Sequence, residues 1–221
     1  MSVLIYRDAK SVGVCAATLL ASHILSEPNA AIGVDYHENL LPVYESLSAM
    51  TENGLLNWSE AKIFQLFEFL SDETSEQRIA NLLGKALFAK TDISEEQYAV
   101  PFANTEQAEE VADSFEQRIR SAGGLDAALI AVRQDGSLLM NRKPDADPFV
   151  HPETEEGNGF ITAGLTTIMQ TKHPIIVGIG KSCAEAVKTM MKGSLTESPL
   201  SALKLHAGAT FIFDEEAIEL L

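Results

Sequence analysis

The chain has 221 residues, of which 46% are apolar and 22% charged, enough for one sizeable core. Thirty-two acids against 16 lysines and arginines give a formal charge of −16. Such a field repels nucleic acid and anionic lipid, which argues against nucleic acid and a membrane surface as partners. Cys15 and Cys183 are too few for a disulfide framework and fit a reducing, cytoplasmic setting. The apolar stretch at residues 13–25 follows Arg7, Asp8 and Lys10 and is interrupted by Ser22 and His23. It reads as a buried helix, with no signal peptide or membrane span expected.

In chain order, a strand over residues 3–6 leads into a helix over 9–26, then a strand over 30–34. A helix over 39–50 stops at Asn53-Gly54, and a strand over 62–66 runs into the acidic loop Ser71-Asp72-Glu73. Thr74 with Gln77 has the spacing of a capping box, and Ile79, Leu82, Leu83, Ala86 and Leu87 follow at helical period. Asn104 with Gln107 starts a second stripe, Ala108, Val111, Ala112, Phe115 and Ile119, which ends at Gly123-Gly124.

The continuous apolar run over 127–132 predicts a strand buried on both faces. Asp135-Gly136 predicts a hairpin into a strand over 137–140. Residues 142–158, with their prolines and acids, read as a surface loop. Strands over 160–163, 174–179 and 209–213 follow, with a helix over 183–192. Strands alternating with helices predict an α/β protein: a doubly wound, mostly parallel sheet with helices on both faces, in a single domain over residues 1–221.

Several stretches in this order resemble the glucosamine-6-phosphate deaminase/isomerase family, whose fold also serves 6-phosphogluconolactonases. They are the run from Phe160 to Met169 (FITAGLTTIM), then Ile175 to Gly180 (IIVGIG), and Pro199 to His206 (PLSALKLH) leading to Phe213-Asp-Glu-Glu216. Upstream, Gly124 to Ile130, Asp135-Gly136 with Asn141, Ile32-Gly33-Val34 with Tyr44, and Phe64 to Phe69 continue the match. The resemblance implies the same sheet and a sugar-phosphate ligand at its carboxyl edge, with no cofactor.

The departures from that pattern fall on the chemistry. Where the resemblance implies a glycine-rich phosphate loop, the chain reads Asp35-Tyr36-His37-Glu38-Asn39-Leu40, with no glycine and two added carboxylates that repel a phosphate. The proton-shuttling aspartate of the family corresponds to Phe67, beside the retained Glu68. Its ring-opening histidine corresponds to Ser137, after the retained Asp135. Its Gly-x-Gly has become Ala131-Val132-Arg133, and the glutamate that orients the histidine corresponds to Arg142. Cys183 stands where a phosphate lysine belongs, with Lys181 two residues away. The family's arginine-bearing lid is shortened to the loop around His151 and Glu153.

The candidate catalytic residues are therefore Glu68 and Asp135, and the candidate ligand-binding residues Asp35, His37, Glu38, Asn141 and Lys181. Asp35, His37 and Glu38 with His151, Glu153, Glu155 and Glu156 lack the spacing of a metal site, and no metal is assigned. No nucleophile elbow surrounds Ser182 or Cys183. The reading is a divergent family member in carbohydrate metabolism, inactive as a deaminase, that binds a small sugar or sugar phosphate or contacts another protein. The sequence is compatible with a homo-oligomer. The rival is an active isomerase, deaminase or lactonase with a site rebuilt from Asp35, His37, Glu68, Asp135 and Lys181. A third class is a structural subunit whose cleft is filled, with Phe67 and Tyr36 the candidates to fill it.

Overall fold

The computed structural model describes residues 1–71, 78–142, 149–155 and 157–221. Strand β1 (Ser2–Tyr6) is followed by helix α1 (Ala9–Ser26), whose N-cap Asp8 accepts a hydrogen bond from the Ser11 N–H at 2.8 Å. Next come β2 (Ala31–Val34), a 3-10 turn (Glu38–Leu40) and α2 (Leu41–Glu52), with Pro42 in its first turn. Gly13 lets the two helices touch, because a Cβ there would lie 2.5 Å from the Pro42 carbonyl oxygen. Helix α1, at 18 residues with mean hydropathy 1.3, is long and apolar enough to cross a membrane by length and composition. One of its faces, with Val12, Ala16, Leu20 and Ile24, is buried in the core instead.

The chain continues through β3 (Lys62–Gln65), β4 (Phe67–Phe69), α3 (Ile79–Ala86), β5 (Tyr98–Ala99), α4 (Ala108–Ser121) and β6 (Ala127–Ala131). It ends with β7 (His151–Glu155), β8 (Asn158–Thr162), α5 (Leu165–Met169), β9 (His173–Gly178), α6 (Ala184–Lys192), α7 (Pro199–Ala202) and β10 (Thr210–Asp214). Seven strands form one sheet in the order β1-β10-β9-β6-β2-β3-β5, and each described pairing is parallel. Helix α2 packs against both α1 and α3, a Thr167–Glu116 hydrogen bond joins α5 to α4, and the right-handed crossover rule sets α1, α2 and α3 on the face opposite α4, α5 and α6. That is the doubly wound α/β arrangement expected. The central β6 is buried along its whole length, which is why its sequence is apolar without alternation.

Two expectations need correction. Residues 137–140 form no strand: after Asp135-Gly136 the chain makes a tight turn with one isolated bridge, Leu138–Asn141, and Leu139 in the left-handed region at φ 54°. The stretch read as a loop over 142–158 contains β7, which pairs antiparallel with β8, and β4 completes this second, three-stranded sheet. Its sequence, HPETE, carries no apolar run, because β7 is an edge strand. The short elements β4, β5, α5 and α7 gave no separate sequence signal. The Thr74–Gln77 capping spacing, Asp72, Glu73 and Glu156 lie outside the described residues.

Candidate functional site

Strands β2 and β6 are neighbours, but the chain leaves β2 toward β3 and β6 toward β9, in opposite directions along the sheet. Such a switch point opens a crevice at the carboxyl ends of the two strands, where open α/β sheets bind ligands. Asp35 directly follows β2, and Arg133 lies two residues beyond β6. Both are buried and they form a bidentate ion pair: Nη1 to Oδ2 at 2.8 Å and Nη2 to Oδ1 at 2.7 Å. The Ala131 N–H donates to Oδ2 at 3.0 Å, and the Tyr44 hydroxyl donates to the Asp35 carbonyl. The guanidinium also donates to the Tyr36 carbonyl at 3.4 Å and lies 5.3 Å from the centre of the Phe67 ring. Burial opposes the charge on Arg133, but the Asp35 carboxylate outweighs it and raises the pKa further.

The other residues of the loop frame this pair. His37 caps the 3-10 turn, its Nδ1 accepting from the Asn39 N–H at 3.2 Å. Burial, reinforced by Arg133, lowers its pKa, so the imidazole is neutral at pH 7. Glu38 is exposed, and Asn39 Nδ2 ties the loop to the Val132 carbonyl at 3.3 Å. Asp135 accepts from the Ser137 N–H at 3.0 Å and its hydroxyl at 2.7 Å, and pairs with Arg142 Nε at 3.1 Å. Burial raises its pKa, but the Ser137 bonds, with help from Arg142 and Arg133, leave it lowered. The carboxylate therefore holds a turn. Asn141 is buried and donates from Nδ2 to the carbonyls of Leu138 and Ala163, both at 2.8 Å, joining the turn to the end of β8.

Glu68 faces away from the switch point, as alternation on β4 requires when Phe67 faces Arg133. It is fully buried at the N-terminus of α3. Its Oε1 accepts the N–H groups of Phe69 (2.8 Å) and Ile79 (3.1 Å), and Oε2 those of Ala80 and Gln65 Nε2 (both 3.0 Å). Arg78 lies 3.6 Å away. That is a helix-capping environment, with the charge set against the helix dipole.

Lys181 is exposed in the turn before α6 and paired with Glu219 at 3.1 Å, which raises its pKa. Burial pushes the Cys183 thiol up to about 11, so it is no thiolate nucleophile at neutral pH. His151 Nδ1 lies 2.8 Å from the Phe149 carbonyl and Nε2 lies 3.5 Å from Glu153. Among the described residues, no group of three or more His, Cys, Asp or Glu side chains is placed to hold a metal ion.

The structure thus gathers Asp35, His37 and Asp135 around Arg133, leaves Glu38 exposed beside His37, and sets Glu68, Asn141 and Lys181 apart in separate networks. Arg133 is the residue the sequence reading left without a role. The available signal was two opposite charges placed just beyond two apolar strand runs.

The model of the family described as glucosamine-6-phosphate isomerases/6-phosphogluconolactonase matches residues 38–212. The chain belongs to this family. A glucosamine-6-phosphate deaminase of Pseudoalteromonas translucida is 29% identical over the whole chain and 90% of its own length. The deaminase of Streptomyces avermitilis is 25% identical over 98% of the chain and 91% of its own length. Among solved structures, a monomeric glucosamine-6-phosphate deaminase matches with a TM-score of 0.94 at 23% identity, covering 100% of both chains. A 6-phosphogluconolactonase of Thermotoga maritima matches with a TM-score of 0.79 at 17% identity, covering 96% of this chain and 98% of its own. At these identities the structural likeness establishes the fold, and family membership leaves open which chemistry, if any, this switch point performs.

Proposed function

We propose that this family member has lost or strongly reduced aminosugar-phosphate deaminase turnover and acts in cytoplasmic carbohydrate metabolism by binding. The observation that carries the reading is the buried Asp35–Arg133 pair, packed against Phe67 at the switch point. A ligand reaching the ends of β2 and β6 meets a guanidinium already held by two hydrogen bonds to a carboxylate. A sugar phosphate there has to displace Asp35, and a neutral sugar has to displace the Phe67 and Arg133 side chains. The binding is then of a small sugar or sugar phosphate that makes such a displacement, or contact with another protein.

The acid–base groups support the same reading. Moving a proton between neighbouring sugar carbons needs a carboxylate or imidazole within hydrogen-bond reach of both. Phe67 supplies neither, Ser137 is bonded to Asp135, and Glu68 is spent on the α3 N-terminus. The rival, an enzyme rebuilt from Asp35, His37, Glu68, Asp135 and Lys181, needs side chains that sit here in separate networks to converge. The test is ammonia release from glucosamine 6-phosphate by purified protein. The expected result is no turnover above background, and a rate near about 1 s⁻¹, within the range of ordinary enzymes, refutes the proposal.

A further inference from the structure

The two edges of the main sheet differ. At one end β5 is two residues long, and the acids Glu95 and Glu96 precede it, as expected of an edge protected against pairing. At the other end β1 spans five residues, SVLIY, with no charge and no proline. Among the described residues, no strand pairs with its outer side. Val3 is 36% exposed and Ile5 52%.

The hydrogen-bond register fixes what this edge can accept. The Ser2 N–H donates to the Ala209 carbonyl, and Ser2 pairs with Thr210 in parallel register. Ser2, Leu4 and Tyr6 therefore direct their main-chain groups to β10, and Val3 and Ile5 direct theirs outward. An antiparallel copy of β1 centred on Leu4 sets Val3 opposite Ile5 of the second copy and Ile5 opposite its Val3. Both are hydrogen-bonded positions, and each residue exchanges N–H and C=O with its opposite. The strand is complementary to itself.

Helix α1 extends the same surface. It contains no acid between Ala9 and Ser26, and it carries apolar residues outside its buried face, including Val14 at 46% exposure. A helix apolar on more than one face is normally covered on more than one face. Tyr6, Lys10, Val14, Cys15, Thr18 and Leu19 are among the residues lining a cavity of about 540 Å³ along the exposed flank of α1 on the β1 side. In a chain of charge −16, residues 1–26 carry Arg7 and Lys10 against Asp8, so two copies meet little local repulsion here.

We infer that the chain forms a two-fold dimer in which β1 pairs antiparallel with β1 of a second copy and the two α1 helices flank the axis. The two seven-stranded sheets become one continuous sheet. The assembly distinguishes this chain from the monomeric deaminase that shares its fold. The inference is independent of whether the switch point turns over substrate.

Sedimentation velocity of the purified chain at micromolar concentration tests it, with a dimer expected. Val3→Pro removes an N–H that points outward and spares the bonds to β10, so it is expected to yield folded monomer, checked by circular dichroism. Ile5→Lys, an exposed change that leaves every main-chain bond in place, is expected to do the same and serves if the proline variant fails to fold. Wild-type protein that sediments as a monomer overturns the inference. So does a dimer that survives Ile5→Lys unchanged.

Discussion

Asp35→Asn probes the centre of the candidate site. The substitution keeps the shape of the side chain but removes its charge and turns one of two acceptors into a donor. Both acceptors are in use: Oδ1 by Arg133 Nη2 at 2.7 Å, and Oδ2 by Nη1 at 2.8 Å and the Ala131 N–H at 3.0 Å. Breaking one side of a buried ion pair costs about 3–5 kcal/mol, because a charge is left in the interior without its counterion. A domain with about 5–15 kcal/mol of net stability loses a large share of it. Urea unfolding at neutral pH is the assay, with the loss read from the midpoint at an unchanged slope. Replacing both residues with apolar ones, Asp35→Leu with Arg133→Met, removes the uncompensated charge and is expected to recover most of the loss. A loss below about 1 kcal/mol for Asp35→Asn, the range of an exposed pair, refutes the reasoning. The pair would then be open to water, and the crevice accessible to a ligand.

Glu68→Gln should cost about 2–3 kcal/mol in the same assay, because one carboxylate oxygen that accepts two bonds becomes a donor facing donors; an unchanged midpoint would free Glu68 for chemistry. The His23 ring stacks on His173 with centroids 4.4 Å apart, and burial followed by the His173 charge lowers its pKa, as burial and Arg133 lower that of His37. A folded pKa below the unfolded value of about 6.5 means the unfolded chain binds more protons, so stability is whole above about pH 7 and falls as pH drops through about 6.5. His23→Asn should flatten that fall in a melting-temperature series, and a slope identical to wild type contradicts it. Restoring the reacting groups with Phe67→Asp and Ser137→His should leave glucosamine 6-phosphate unconverted, since misplacement by about 1 Å costs roughly a hundredfold. Ordinary turnover by the folded double variant would show that the substrate docks despite the Asp35–Arg133 pair.

The parallel sheet was legible because its strands are short apolar runs, and burial on both faces demands that composition. Helices α1, α2, α4 and α6 were legible from period and capping. What failed to show were strands held by position rather than composition. Residues 151–155 are polar because β7 is an edge of the small sheet, and β5 is too short to carry a pattern. At the site, the departures from the family pattern at Phe67 and Ser137 could be read one residue at a time. The partnership of Asp35 with Arg133 could not, because it joins residues 98 apart whose meeting depends on β2 lying beside β6. By sequence alone Asp35 is a carboxylate that repels phosphate unless screened, and the structure pairs that charge with Arg133.

The pair also bears on the proposed loss of deaminase turnover. Backbone N–H groups at the carboxyl ends of parallel strands suit an anionic ligand, and a site built for one is left with unmet donors whenever the ligand is absent. In this chain Asp35 meets the Ala131 N–H directly and brings Arg133 with it, so donor, acceptor and charge are satisfied without a ligand. Interactions that could serve a ligand are made here within the fold itself. The arrangement resists reversal, because a carboxylate that anchors Arg133 cannot be removed without leaving a guanidinium buried and unpaired. Under the proposed function, a phosphate site at this switch point requires Asp35 and Arg133 to change together, before any acid or base placed at residue 67 or 137 can meet a substrate.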